Sequence, residues 1–452
     1  MSIVLEQRVQ IAVLTARVAE LERLSGQGGG SELGRVTRRQ IKPQRAGGDK
    51  SHKKRGRQFF RRVDKSPTDS VMHACDRCPD CGHSLSGGWL HRRREVIELC
   101  ESPFSVTEHR IYGRWCGICG KRVLPKVDLS DRVVGKRRMG IRLMSWISYL
   151  HTSLRIPLRP IQRLLKSMFG LHVGLGELTE LMHAVANRGA AVKAELLHSV
   201  RGSPYVHADE TGWREDGVEG YLWSFSTPEA RIFSYNKSRS GTVAEEHLGL
   251  EFNKILVSDF YVAYNRFACA HQRCWVHLLR DLHALKENFA ADARVREWTE
   301  SVEDVYRRAV RFRQDCLAAM ATKREQTAHG IFERKRRRRA FELELTRLGR
   351  AHARQRLGIG PHTSPQCVLA ERCLRFADEL FVFIEHPNTP PHNNPAETAI
   401  RPAVIARKVS GGTRSDKGSQ TLTTLMSLLA TWQLQGQDPV NQCANMLAAA
   451  QS

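Results

Sequence analysis

The feature that most constrains this chain is a short apolar run that ends in acid. In Ser203-Pro-Tyr-Val-His-Ala-Asp-Glu-Thr-Gly-Trp213, Pro204 stops whatever precedes it, Tyr205 to Ala208 have strand character, and Asp209 and Glu210 stand at their end. A carboxylate beside a buried strand is costly unless it is paired, hydrogen-bonded or holding a metal. Asp and Gly are also ordinary turn residues. Taken alone, the fragment therefore leaves Asp209 open between a turn acid and a ligand.

The pattern returns. Strands are expected at Tyr221 to Phe225 and Arg231 to Tyr235, with turns at Gly217 to Gly220 and Ser226 to Glu229 and a helix around Thr242 to Leu250. Then Lys254-Ile-Leu-Val-Ser258 is the nearly continuous apolar run of a strand buried on both faces, and it ends at Asp259. Acids at the tips of two neighbouring strands are what two-metal phosphoryl chemistry needs, since carboxylates must neutralise cations roughly 3.5–4 Å apart. A third acid is required from a later helix. Pro391-His-Asn-Asn-Pro-Ala-Glu397 offers one, with Asn394 as N-cap, Pro395 at the first helical position and Glu397 at the third. The same spacing describes a capping box, so Glu397 by itself stays open; with Asp209 and Asp259 it reads as the third ligand. Successive side chains on a strand face opposite ways, which assigns Asp209 rather than Glu210 to the shared centre.

Upstream, Val4, Ile11 and Val18 recur every seven residues with Leu14 and Leu21 at the d spacing, the pattern of a parallel two-stranded coiled coil or of one packed helix. Gly26 to Gly34 form a flexible break. Arg35 to Lys65 hold 13 Lys and Arg against two acids, a segment expected to order on phosphates. Within it Arg55 and Arg57 are candidates for an A·T-rich minor groove, or part of a nonspecific basic arm. Six of the twelve cysteines fall within Cys75 to Cys119. Cys78-x-x-Cys81 and Cys116-x-x-Cys119, each followed by glycine and separated by the strand-rich stretch Glu95 to Arg114, suit a tetrahedral structural Zn²⁺. Cys75 is an alternative to Cys81. Val134 to Val200 has helical periodicity, compatible with a helix-turn-helix or with plain connecting helices.

The formal net charge of +24 argues for a polyanionic partner and says nothing of fold. No apolar run approaches the ~20 residues needed to span a bilayer, and the N-terminus lacks signal-peptide character. A soluble, cytoplasmic protein is expected.

Several stretches carry a resemblance. His207-Ala-Asp-Glu-Thr-Gly-Trp213, Leu256-Val-Ser-Asp-Phe-Tyr261, Gln272-Arg-Cys-Trp-Val-His-Leu-Leu-Arg-Asp281, Asn393-Asn-Pro-Ala-Glu-Thr-Ala-Ile-Arg-Pro402 and Arg407-Lys-Val-Ser-Gly-Gly-Thr-Arg-Ser415 resemble the insertion sequence 66 family of bacterial DDE transposases. The resemblance implies an RNase H-like core with Asp209, Asp259 and Glu397 as its Mg²⁺-binding catalytic triad. It also implies a helical insertion in the 138-position interval from Asp259 to Glu397, matching the charged helical patterns at Arg294 to Ala319 and Phe332 to Leu348. The run Arg334 to Arg339 is either a DNA contact or a solvated face. Cys274 and His277 match a Cys-x-x-His feature of the family and read as local packing near the active site.

The expected fold class is thus multidomain α+β. It comprises an N-terminal coiled coil (residues 1–25), a basic flexible arm (26–70), a zinc ribbon (71–127) and a helical, candidate DNA-binding region (128–202). An RNase H-like α/β catalytic core (203–290 and 387–452, the latter with C-terminal helices) is interrupted by an all-helical insertion (291–386). The expected activity is Mg²⁺-dependent cleavage at element ends and transfer of the 3′-OH into target DNA. Arg401, Arg407, Lys408, Arg414 and Lys417 are candidate phosphate contacts, and Trp213 and Tyr261 sit where they could pack on bases or ribose. Expected partners are double-stranded DNA, further copies of the chain as a homodimer or higher oligomer, and small accessory transposition proteins, at the bacterial nucleoid. A structure-specific RNase H-like nuclease and a non-catalytic zinc-ribbon DNA-binding protein are the alternatives.

Overall fold

The structure, a computed structural model, describes residues 128–321 apart from 136, residues 328–353 and 365–449, and short pieces between 80 and 123. The expected coiled coil, the basic arm with Arg55 and Arg57, and Cys78 and Cys119 lie outside the described residues. Two compact units divide the chain, Met1–Glu98 and Leu99–Ser452. All elements below belong to the second.

Strands β1 (Arg114–Cys116) and β2 (Lys121–Val123) pair antiparallel with Cys116 opposite Lys121. Of the stretch Glu95 to Arg114, expected to be strand-rich, residues 95–104 lie outside the described residues. Residues 105–110 have no regular structure, and Val106 is exposed, so this run has no apolar face to bury.

Four helices follow: α1 (Ile141–Thr152), α2 (Leu158–Phe169), α3 (Leu175–Arg188) and α4 (Ala190–Gly202). Pro157 opens α2, and Gly170 closes it in the left-handed region at φ 61°, where a side chain would be strained. Met144, Ile147, Ile161, Leu165, Leu178 and Val185 are shielded from water in a single core. That core also holds Leu425, Leu428 and Leu447 from far along the chain, so this helical region and the C-terminal helices are one packed unit.

Beyond Pro204 the period changes to two. Strands β3 (Tyr205–Glu215), β4 (Val218–Ser226) and β5 (Arg231–Asn236) form an antiparallel meander. Asp216 and Gly217 turn the first hairpin with φ 51° and 81°, the double positive φ of a two-residue turn that matches strand twist. Helix α5 (Gly241–Leu248) leads to β6 (Ile255–Ser258), a 3₁₀ turn (Val262–Arg266), β7 (Ala270–Arg273) and α6 (Trp275–Asn288). The sheet order is β5-β4-β3-β6-β7, with β6 parallel to β3 and β7 parallel to β6.

Two details differ from expectation. β3 does not stop at Ala208, because β4 pairs along it as far as Glu215 whereas β6 pairs only with Tyr205 to His207. β7 has no apolar signature. It is buried through polar pairing: the Gln272 side-chain amide donates to the Leu380 carbonyl (3.1 Å) and its Oε1 accepts from the Phe383 N–H (2.9 Å).

The interval before Glu397 is helical, with α7 (Ala293–Ala321), α8 (Ala328–Ala353), α9 (Pro365–Arg375) and α10 (Val382–Glu385) around Trp298, Val302, Phe341, Leu345 and Phe381. On α8, Arg336 and Arg337 pair with Glu333 (2.8 and 2.9 Å) and Arg338 and Arg339 with Glu342 (2.8 and 3.2 Å). Much of that run's charge is therefore answered within the protein. Helices α11 (Asn394–Ser410), α12 (Asp416–Leu434) and α13 (Pro439–Ala449) complete a mixed α/β architecture with thirteen α-helices and the five-stranded mixed sheet among the described residues. None of these helices is long and apolar enough to cross a membrane.

Candidate active site

The three acids come from three elements that the fold draws together. In the β3–β6 ladder Tyr205, Val206 and His207 face Ile255, Leu256 and Val257, each partner 50 positions on. Carried two residues further, that register sets Asp209 level with Asp259, just where the parallel pairing has ended. Asp259 follows β6 directly, and its Oδ1 accepts the Tyr261 N–H at 2.9 Å, which holds the turn beyond the strand.

Glu397 lies in the first turn of α11, and buried hydrogen bonds fix where that helix begins. Asn393, 1% exposed, donates from Nδ2 to the Ala208 carbonyl (2.8 Å) and places its Oδ1 3.0 Å from His207 Nδ1. Its N–H donates to Cys274 Sγ (3.1 Å), while the Trp275 N–H donates to the Pro391 carbonyl (3.0 Å) and the Cys274 N–H to the Ser258 carbonyl (2.8 Å). The starts of α6 and α11 and the ends of β3 and β6 are thus stitched into one corner. Because the Asn393 N–H is spent on Cys274 and Glu397 Oε1 has no hydrogen-bond partner, Glu397 does not close a capping box. The helix also starts one residue earlier than expected, at Asn394 itself.

Electrostatics reports the convergence. The Asp209 carboxyl is pushed up to about 7, first by burial, then by the negative charges of Glu210, Asp259 and Glu397. Each would repel an ionised Asp209. Glu210 points to the other face of the sheet, as strand alternation requires. There it accepts from Tyr264 Oη (2.5 Å) and pairs with Arg239 (2.8 Å), and burial raises its carboxyl despite those two donors. His207 is driven down to about 4 by burial, against the opposing pull of its link to Asn393; its Nδ1 carries the hydrogen that this link donates to Asn393 Oδ1.

A transposase family model, described as Transposase IS66 family, matches residues 136–421. The chain belongs to that family. The matched span contains Asp209, Asp259 and Glu397, together with Asn393, Cys274 and His277. Two curated relatives come from Sinorhizobium fredii (strain NBRC 101917 / NGR234). Uncharacterized protein y4qI is 25% identical over 285 residues, 56% of this chain and 49% of its own length. Uncharacterized protein y4jO is 31% identical over 185 residues, 41% of this chain and 50% of its own length. The chain spans about half the length of these relatives.

Other candidate residues of this IS66 family member fall into two groups. Arg401 and Lys408 on α11, Arg414 in the segment after it and Lys417 at the start of α12 are exposed, Lys417 lying 3.6 Å from Glu180. Arg407 is half-buried and donates to the Gly212 carbonyl, tying α11 to β3. Trp213 is 3% exposed and its indole N–H donates to Thr413 Oγ1 at 3.1 Å, so it packs in the core and has no face for a base. Tyr261 carries Arg239 over its ring at 4.0 Å and donates to the Arg239 carbonyl (3.0 Å). The Gly-Gly-Thr stretch after α11 has a geometric role. Gly411, at φ 76°, ends the helix; Gly412, at φ 128°, passes so near Arg214 that any Cβ would meet its carbonyl. Thr413 then bridges the end of β3, its N–H donating to the Arg214 carbonyl (2.9 Å) and its carbonyl accepting from the Asp216 N–H (2.8 Å).

His207 and Asn393 carry the corner and are not apparent in the sequence as site residues. The doublet Asn393-Asn394 suggests a cap. Only the fold shows that the first asparagine bonds across to β3 instead.

Proposed function

We propose that this chain is a DNA transposase of the DDE type, with Asp209, Asp259 and Glu397 as one catalytic centre. The observation that carries the reading is that acids from the end of β6 and the first turn of α11 approach Asp209 of β3 closely enough for Asp259 and Glu397 to add to the effect of burial and of Glu210 in raising its carboxyl to about 7. The sheet order, an antiparallel meander followed by two parallel strands, supports an RNase H-like core.

Clustered carboxylates of this kind fit a hard divalent cation such as Mg²⁺, whose preferred donors are oxygens. When bound, it offsets their mutual repulsion and stabilises charge on the attacking and leaving oxygens of an in-line displacement. Asp209 and Asp259 hold the shared site and Glu397 completes it. Water attacks the phosphodiester at an element end and the P–O3′ bond breaks; the freed 3′-OH then attacks a target phosphodiester, forming a new P–O bond as the target's own P–O3′ bond breaks to leave a target 3′-OH. The role of Arg401, Lys408, Arg414 and Lys417 is to hold phosphates along the α11 side, while Arg407 positions that helix.

The N-terminal coiled coil, the basic arm with Arg55 and Arg57, and a Zn²⁺ ribbon on Cys78, Cys81, Cys116 and Cys119 belong to the same reading on sequence grounds. So do a homodimeric or larger synaptic assembly, accessory proteins, and action at the nucleoid.

Labelled element-end DNA incubated with target DNA, Mg²⁺ and the protein tests the proposal. The expected products are cleaved ends and joined DNA, both abolished by Asp209→Ala with end binding retained. Cleavage without joining would make the protein a hydrolytic nuclease, and activity unchanged by Asp209→Ala would remove the centre from this site.

A further inference from the structure

Cys274 and His277 make only half a metal site in the sequence; the fold supplies the other half. Cys274 caps α6 and His277 is the third residue of that helix, a spacing of three that puts both on one side of its first turn. The start of α11 is bonded to this same turn through Asn393 and Pro391. As a result Glu397 arrives beside the pair. One ligand atom from each of Cys274, His277 and Glu397 lies within 4.8 Å of the others.

Two of these atoms have no other occupation. His277 Nδ1 and Glu397 Oε1 are both buried without a hydrogen-bond partner, a condition that native interiors avoid unless something else satisfies the groups. They face each other at 3.7 Å, too far for a hydrogen bond. A tetrahedral zinc with ligands at about 2.0–2.3 Å has ligand-to-ligand edges of about 3.3–3.6 Å; the His277–Glu397 separation is within a few tenths of an ångström of that, and Cys274 Sγ lies within 4.8 Å of both. The donor set of one sulfur, one imidazole and one carboxylate suits Zn²⁺ and disfavours Mg²⁺, which takes oxygen.

We infer that Cys274, His277 and Glu397 form a site for a thiophilic divalent metal, Zn²⁺ by its donor set, beside the proposed carboxylate centre. Glu397 then bridges the two. Its Oε1 belongs to the zinc and its Oε2 is left for the centre shared with Asp209 and Asp259. Three protein ligands leave the fourth position open, and the metal fixes the rotamer of an otherwise half-buried glutamate. The site shares Glu397 with the proposed function but does not depend on its catalysis.

Metal content tests this directly. Full-length protein from zinc-supplemented expression is compared by elemental analysis with His277→Ala and Cys274→Ser, with circular dichroism to establish that each is folded. Cys274→Ser keeps an acceptor for the Asn393 N–H, and His277→Ala removes a ring nitrogen that has no hydrogen-bond partner. Each variant should carry one zinc equivalent fewer than the wild type, any zinc at the two Cys-x-x-Cys turns being common to all three. Equal zinc in all three would overturn the assignment. As a second readout, Co²⁺-loaded wild type minus Co²⁺-loaded His277→Ala should give the ligand-field absorption of four-coordinate cobalt, and a flat difference would equally overturn it. Strand transfer is scored separately, so failure here leaves the transposase reading standing, and failure of that reading leaves the metal site standing.

Discussion

At the scale of single residues, the position of Asp209 has a measurable consequence for pH. Its folded-state value of about 7 lies above the ordinary 3.8, so the folded protein holds a proton that the unfolded chain has released. Metal-free stability contributed by this group is complete below pH ~4 and is lost as pH rises from there through about 7. Asp209→Asn should therefore melt several degrees above the wild type at pH 8 without metal, with little difference at pH 4. Thermal melts at both values check this, and equal melting at pH 8 would contradict it. On the proposed function, Mg²⁺ should reverse the sign, because a metal binds the ionised form. Affinity for Mg²⁺ measured calorimetrically should rise between pH 6 and 8 in the wild type and be largely lost in Asp209→Asn. Asp259 and Glu397 were legible as candidates because they stand where a strand ends and a helix starts, and Asp209 because the apolar run of β3 stops before it, where pairing with β6 ends. His207 and Asn393 were not, since hydrogen bonds spanning 186 positions leave no local pattern.

At the scale of elements, the site depends on how α11 is docked. Asn393→Ala removes the donor to the Ala208 carbonyl and the partner of His207, leaving buried polar groups unsatisfied at a cost of about 1–3 kcal/mol. Denaturant titration should show that loss, and strand transfer should fall further than end binding does, because Glu397 loses its anchor. At the other end of α11, Gly412→Ala would drive a methyl group into the Arg214 carbonyl at a φ of 128°. A cost of about 1–3 kcal/mol is expected from the strained backbone, read from the same titration. Legibility of the elements followed their physics. β6 was visible from its continuous apolar run and the helices from their period, whereas β7 was not, because Gln272 and Arg273 are buried by hydrogen bonds rather than by hydrophobicity. The end of β3 was misplaced for a related reason: its extension to Glu215 is fixed by pairing with β4, which the residues of β3 do not encode.

At the scale of the whole molecule, the α1–α3 helices and the C-terminal helices share one core, so the start of the family-matched region packs against residues that lie beyond its end at 421. Charge is a separate matter. The net +24 includes 13 Lys and Arg between Arg35 and Lys65, and contacts of basic groups with phosphates make affinity fall with salt, by about 0.9 in log–log slope for each phosphate neutralised. Deleting residues 26–70 should flatten the salt dependence of end binding, measured by fluorescence anisotropy, by several such increments; an unchanged slope would exclude the arm from the interface. The central claim is that three acids from separate elements act as one centre. It is tested most directly by strand-transfer rates of Asp209→Ala, Asp259→Ala, Glu397→Ala and the three pairwise double variants, all with end binding checked. Groups that act as a unit are not additive, so each single variant should fall to background and each double variant should be no slower than the singles. A single variant that retains strand transfer, or rate losses that multiply in the doubles, would contradict it.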